Sequence, residues 1–275
     1  MFKIYDLNMK EIPFPDGVIP LEFFVGSVGK ERTVDTVDGR PGVVDYGFNY
    51  TDRPVSLFLR IKAADAADFR LLRNEVFATF DVGSAFYVAE SDVPSRVLKV
   101  VVDESYIPDR LTEEYADFDI NCRTIDSVFW ESKYTTLELH DSGYSATAEK
   151  YGLVDNIDDE KAKYRFTDNN FTVYNAGNVT VEPESMMLNI RASLLDSTGN
   201  FTIRNKTTGE EIILNRSSAG SHFTIDGMVI SLGGIANIFR DTNRRFISLV
   251  PGDNQFEILN GTFEEIRFEF KYLYK

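Results

Sequence analysis

Period-two alternation of apolar and polar residues runs through most of this chain. Near its end Ile266, Phe268, Phe270, Tyr272 and Tyr274 alternate with Arg267, Glu269, Lys271 and Leu273. A strand so built turns one face to a core and the other to water. At 113–123, Tyr115, Asp117 and Asp119 alternate with Ala116, Phe118 and Ile120. Further strands are predicted at residues 2–7, 21–28, 55–61, 85–89, 96–102, 201–204, 211–214, 222–225 and 228–232. Asp226-Gly227 joins the last two as a two-residue hairpin. One stretch has a helical period instead: Phe69, Leu72, Val76 and Phe80, with Phe77 beside them. Asp65 is its N-cap, Asp68 lies in the first turn, and Gly83 marks the end. The opposite side of this helix carries Arg70, Arg73 and Asn74, so the aromatic stripe reads as core.

Breaks in the pattern divide the chain. Pro13, Pro15, Gly17 and Pro20 interrupt the first strands. Residues 29–52 are polar, with the turn cluster Asp38-Gly39-Arg40-Pro41-Gly42, and are long enough to project as an extended loop or hairpin. From 140 to 152 the pattern fades, and 141–148 is small and polar, as linkers are, so the domain boundary is expected near 140–155. The chain therefore reads as mainly β. Residues 1–145 form a β-rich domain with one packing helix near 65–80, and residues 146–275 form a β-sandwich of short strands and tight polar turns. A longer connection at 233–245 is either a partner-docking loop, with Phe239, Arg240 and Arg244 its contact residues, or a plain surface crossover.

Charge narrows the function. The net charge of −15 argues against a protein that grips nucleic-acid phosphates. Residues 1–150 hold 16 Lys and Arg against 27 Asp and Glu, and residues 151–275 hold 13 against 17. The excess in the first part serves solubility or makes a surface that repels DNA. Cys122, the single cysteine, sits in an alternating segment and reads as a buried thiol, with no intrachain disulfide possible. The N-terminal residues have no apolar run suited to a signal peptide, and no segment has the length of a membrane span. Asn-X-Ser/Thr triplets at Asn170, Asn178, Asn200 and Asn205 are then turn and strand chemistry rather than glycan sites.

Catalytic chemistry finds no foothold. His140 and His222 belong to no motif, and Ser221 and His222, as strand neighbours, point to opposite faces. Glu113/Glu114 and Glu264/Glu265 are pairs expected by chance in so acidic a chain. The acidic run at 155–160 lacks the central glycine and terminal glutamate of a calcium loop. Gly233-Gly234 and Gly26-Ser27-Val28-Gly29 lack the Lys-Ser/Thr of a phosphate loop. Arg240, Arg244 and Arg245 form a small basic cluster suited to an acidic partner or to salt bridges. No catalytic, cofactor or metal residue is nominated.

Several segments together resemble a known family. Asp45-Tyr46-Gly47-Phe48-Asn49-Tyr50-Thr51-Asp52-Arg53 is followed by a strand and by Phe69-Arg70-Leu71-Leu72-Arg73-Asn74-Glu75-Val76-Phe77. Then come Tyr174-Asn175-Ala176-Gly177-Asn178, Val181-Glu182-Pro183, Thr207-Thr208-Gly209-Glu210, Pro251-Gly252-Asp253-Asn254 and Phe268-Glu269-Phe270-Lys271-Tyr272. In this order they resemble the distal tail proteins of long, non-contractile-tailed bacteriophages. The resemblance implies a first domain that forms a homohexameric ring at the tail tip, around the channel through which DNA passes. It implies a galectin-like, jelly-roll second domain facing outward. Implied partners are the tail tube protein, a tail-associated hub or lysin protein and receptor-binding proteins, at the distal end of the virion's tail. No enzyme activity or cofactor is implied. Within residues 29–52, Val43, Tyr46, Phe48 and Tyr50 are the candidates for a hairpin reaching the neighbouring subunit. The alternative is a lectin-like adhesin. Against it, sugar-binding galectins use a stacking tryptophan, and the only one here, Trp130, lies before the sandwich.

Overall fold

The computed structural model describes residues 1–142, 157–158, 160–235 and 237–275. They form two compact units, Met1–Trp130 with Lys275, and Glu131–Tyr274. The boundary expected near 145 lies within 143–156, outside the described residues, as does most of the expected linker. The first unit ends earlier than the expected 145. Residues 136–142 are helical and belong to the second unit. The Thr136 hydroxyl donates to the Phe268 carbonyl (3.0 Å) and accepts from the Phe270 amide (3.1 Å), with Leu137 and Leu139 buried beside it.

In the first unit the elements are β1 (Phe2–Tyr5), β2 (Glu11–Ile12), β3 (Val18–Val25), β4 (Gly29–Asp35), β5 (Val44–Thr51), β6 (Pro54–Lys62), α1 (Ala66–Thr79), β7 (Ala85–Glu90), β8 (Arg96–Val102), β9 (Asp109–Arg110) and β10 (Tyr115–Thr124). Its main sheet runs β2-β1-β7-β8-β10-β6-β3, with β9 added on β10. Pro20 lies in β3, at the sheet margin, and the register slips between Pro20 and Glu22. That is where a residue without an N–H is tolerated. The helix forms as the capping pattern predicts. The Asp65 carboxylate accepts from the amides of Ala67 (2.8 Å) and Asp68 (2.9 Å), which holds its pKa below the usual carboxylate range. Phe69, Leu72, Val76 and Phe80 join Leu57, Leu59, Phe118 and Ile120 in one core. Each such fully buried side chain contributes about 1.5–3 kcal/mol. Cys122 is buried in the same core, and its burial, with Asp103 nearby, pushes the thiol up to about 12.

A short strand, β11 (Trp130–Ser132), straddles the division between the units. The second unit then adds β12 (Arg165–Phe166), β13 (Asn170–Asn175), β14 (Leu188–Leu195), β15 (Phe201–Asn205), β16 (Glu210–Leu214), β17 (Ser221–Asp226), β18 (Val229–Leu232), β19 (Gly252–Leu259), β20 (Glu265–Phe270) and β21 (Leu273–Tyr274). Two antiparallel sheets result, β12-β20-β14-β17-β18 and β13-β19-β15-β16. They pack face to face through Phe256 against Phe268 (4.8 Å between centroids), Phe171 against Phe268 (5.8 Å) and Phe201 against Phe223 (6.0 Å). The closing strand is shorter than its alternation predicts. It breaks after Phe270, and Leu273, expected on the polar face, is buried. The Ser132 amide donates to the Tyr272 carbonyl (2.8 Å), and the Tyr272 amide donates to the Ser132 hydroxyl (3.0 Å). A side chain at Gly177 would lie 2.5 Å from the Leu273 carbonyl oxygen, so only glycine allows this approach.

Candidate functional site

Residues 29–51 fold as a hairpin. Among the described residues β4 and β5 pair only with each other, apart from the main sheet, and no residue on them is buried. The register sets Lys30 opposite Tyr50 and Arg32 opposite Phe48, and then slips, so that Val34 faces Asp45. The slip places the two residues Tyr46 and Gly47 against Thr33 alone, with Gly47 at a φ of 106°. This is a bulge that a glycine permits. Its consequence is specific. Phe48 and Tyr50 share a face with Lys30, Arg32 and Asp45, while Tyr46 turns away from that row. Val43 lies in the turn before β5. The structure thus brings together two of the four candidates and sets Tyr46 and Val43 apart from them.

The shared face is cationic and aromatic. The Lys30 ammonium sits 4.1 Å from the Phe48 ring centroid and 5.5 Å from that of Tyr50. Phe48 meets Tyr50 edge to face at 5.4 Å, Tyr50 meets Phe129 at 5.1 Å, and Arg32 pairs with Asp45. Tyr46 keeps 65% of its surface in water and Phe48 41%. At the hairpin root stands a residue that pattern reading did not single out. Arg53 is buried, and its guanidinium donates to the carbonyls of Gly26 (2.8 Å) and Val128 (3.3 Å). Its amide donates to the Thr124 hydroxyl (2.9 Å). Burial lowers its pKa from the usual arginine value, and no carboxylate among the described residues pairs with it. Only its place before Pro54, where the polar segment ends, hinted at a structural task.

The second candidate, the connection at 233–245, is a strap over two sheet margins. The Ile238 amide donates to the Ile230 carbonyl (2.8 Å) on β18, which ends the five-stranded sheet. The Asn243 amide donates to the Ile213 carbonyl (3.0 Å) on β16, which ends the four-stranded one. The Asn243 side chain accepts from the Ile213 amide (3.1 Å) and donates to the Glu211 carbonyl (2.9 Å). Strand edges left bare invite unwanted pairing, and this strap satisfies them. Phe239 stacks on Phe246 at 5.7 Å. Arg240, Arg244 and Arg245 are exposed and form no ion pair with the described residues, whereas Asp241 pairs with Arg216 at 2.8 Å.

The turn motifs of the second unit meet in one buried network. The Asn254 side chain donates to the carbonyls of Val250 (2.8 Å) and Gly252 (3.1 Å) and accepts from the Val250 amide (3.0 Å). Asn205 donates to Asn254 (3.2 Å) and to the Ser248 carbonyl (3.0 Å). Asn175 donates to the carbonyls of Val179 and Leu249, both at 3.1 Å. The Glu210 carboxylate accepts from the Ser248 amide (2.8 Å) and hydroxyl (2.7 Å). Burial works against its charge, but these bonds prevail and hold its pKa below the usual value. These residues build turns and are not offered to a ligand. The histidines are likewise engaged. His140 accepts from the Tyr164 amide (3.3 Å) and His222 from the Leu194 amide (3.4 Å). Among the described residues no three His, Cys, Asp or Glu converge as metal ligands, and no helix is long and apolar enough to cross a membrane. The acidic run at 155–160 lies partly outside the described residues.

Known proteins bear on this geometry. Residues 9–122 match the family described as the phage tail protein RIFT-related domain. The matched residues all lie within the first unit. Across 99% of the chain and 100% of its counterpart, the fold matches the Dit protein (gp 19.1) of phage SPP1, with 13% identity and a TM-score of 0.68. That protein is described as a paradigm of the hub adsorption apparatus in phages infecting Gram-positive hosts. The chain thus shares the mainly β fold of that Dit protein from end to end. The activated baseplate of phage p2 also aligns, over 98% of this chain and 97% of the other, at 11% identity and a TM-score of 0.44, too distant to add to this. No curated protein sequence matches the chain.

Proposed function

We propose that this protein is the structural hub of a phage tail tip, a homohexameric ring that joins the tail tube protein to a tail-associated hub or lysin protein. The observation that carries the reading is the end-to-end likeness of fold to a hub protein, on a chain whose first unit matches a phage tail domain. The ring is supported by the hairpin. Its two strands pair only with each other, Tyr46 stays in water on one face, and Phe48 and Tyr50 stay partly in water beside Lys30 and Arg32 on the other. Such a surface suits a neighbouring copy, and closing a ring disposes of free surfaces in every subunit. The acidic excess of residues 1–150 suits a lumen through which DNA slides without being held. Phe239, Arg240 and Arg244 on the strap serve a peripheral, receptor-binding protein. The hub acts by shape and assembly, with no reaction assigned to it and no cofactor.

The working place is the distal end of the virion's tail. Antibodies against the purified protein should label tail tips of intact phage in electron micrographs. Label along the whole tail tube, or on the capsid, would overturn the reading. A lectin-like adhesin would instead bind glycans through residues 146–275 and need no ring.

A further inference from the structure

The outer face of the five-stranded sheet carries a row of arginines drawn from three separate strands. Arg165 on β12 stands opposite Arg267 on β20, and Arg267 opposite Arg191 on β14. The row continues to Thr224 on β17 and Ser231 on β18. All five are half-buried, and Arg191, Arg267, Thr224 and Ser231 each lie between fully buried neighbours; Arg165 stands opposite Arg267 in the ladder, so the five side chains share the outward face. Like charges directly across a ladder repel, and an acidic protein has no general need of them here.

Arg165 is neutralised. It takes the Asp141 carboxylate with two parallel bonds of 3.1 Å and Glu265 with a third of 3.0 Å. Arg191 and Arg267 hydrogen-bond to no carboxylate among the described residues, although Arg267 lies close enough to Asp141 to help Arg165 hold that carboxyl's pKa low. Both Nε–H groups are shut off from water and make no hydrogen bond, and the buried Asn189 side-chain oxygen nearby is also unpaired. Native structures leave few buried donors unmet, and two on adjacent arginines point to a missing acceptor. Glu265 and Glu269 flank Arg267 on β20; Glu265 is taken by Arg165, and Glu269 forms no ion pair with either arginine among the described residues.

We propose that Arg191 and Arg267 form a carboxylate-binding site that docks an acidic segment of a partner polypeptide. The choice of carboxylate follows from the row itself, because Arg165 shows that a guanidinium on this face takes a carboxylate as a fork. Thr224 and Ser231 continue the row with hydroxyls that serve further acceptors. The site is distinct from the strap, and it needs no ring to operate.

The test uses the full chain and a fluorescent oligoglutamate peptide at low salt, read by anisotropy. Arg191→Gln with Arg267→Gln should weaken binding by about ten-fold or more, since both charge-assisted partners are lost. Arg240→Gln with Arg244→Gln should leave it unchanged. Thr224→Glu places an internal carboxylate opposite Arg191, and should both block the peptide and raise the unfolding temperature. The Thr224→Glu result stands even if the double variant fails to fold. The proposal is overturned if the peptide does not bind, if Thr224→Glu leaves binding intact, or if loss maps to Arg240 and Arg244. It is equally overturned if inorganic phosphate binds at these arginines and the peptide does not, which would make the site a phosphate site.

Discussion

The hairpin at 29–51 and the strap at 233–245 look alike in the sequence, as long polar stretches between strands. They spend their groups in opposite ways. The strap gives its backbone to its own domain, capping Ile230 on one sheet and Ile213 on the other. The hairpin gives its backbone to itself and leaves aromatic side chains in water. The difference lies in where hydrogen bonds and apolar surface go. A segment that bonds its host's sheet margins is a lid; one whose strands pair only with each other and that is apolar outside is a reaching arm.

That contrast can be strained at several points. The largest effect should come from the network under the strap's end of the sandwich. Asn254→Ala strands several buried donors and acceptors at once and should cost about 3–5 kcal/mol in denaturant unfolding of the second unit. A loss below about 1 kcal/mol would mean that the turns at 248–254 hold without it. Asn243→Ala unlatches the strap from β16 and should cost about 2 kcal/mol, with faster amide exchange at Ile213. If exchange there is unchanged, the strap does not guard that edge.

Glu210 sharpens the point through pH. Its folded pKa is lowered, so the stability it brings is present above its unfolded pKa and is lost as pH falls through the folded value. Glu210→Gln should cost about 1–2 kcal/mol at neutral pH and flatten the acid limb of the stability curve. A variant with an unchanged acid limb would show that Ser248 does not hold the charge. The smallest effect on stability belongs to the arm. Tyr46→Ser with Phe48→Ser should change unfolding by no more than about 1 kcal/mol, because Tyr46 is mostly in water and Phe48, 41% exposed, packs only on its own hairpin through Lys30 and Tyr50. A larger loss would place the arm in its own subunit's core.

Local chemistry explains what the sequence disclosed. The Asp65 cap, the Asp226-Gly227 turn and the alternation in β10 act within a few residues, and each formed as read. The shape of the hairpin was open between loop and strand pair, and its bulge at Tyr46-Gly47 was hidden because register depends on the opposite strand. The helical residues 136–142 went unseen because they are held by β20, more than a hundred positions later. Leu273 misled because its neighbour is Gly177, far off in the chain. The arginine row shows the limit most plainly. Arg165, Arg191 and Arg267 each sit at an ordinary polar position, and only strand order makes them one surface. The motifs Thr207 to Glu210 and Pro251 to Asn254 carried the family likeness, yet they shape turns rather than contacts.

The claim on which the rest depends is assembly through the arm, and light scattering of the purified chain, alone and mixed with the tail tube protein, tests it most directly. The account predicts rings of six 31.2 kDa chains, and monomers of nearly unchanged stability once Tyr46 and Phe48 are serine. Monomers in both mixtures, or rings that form equally well without these aromatics, would contradict it.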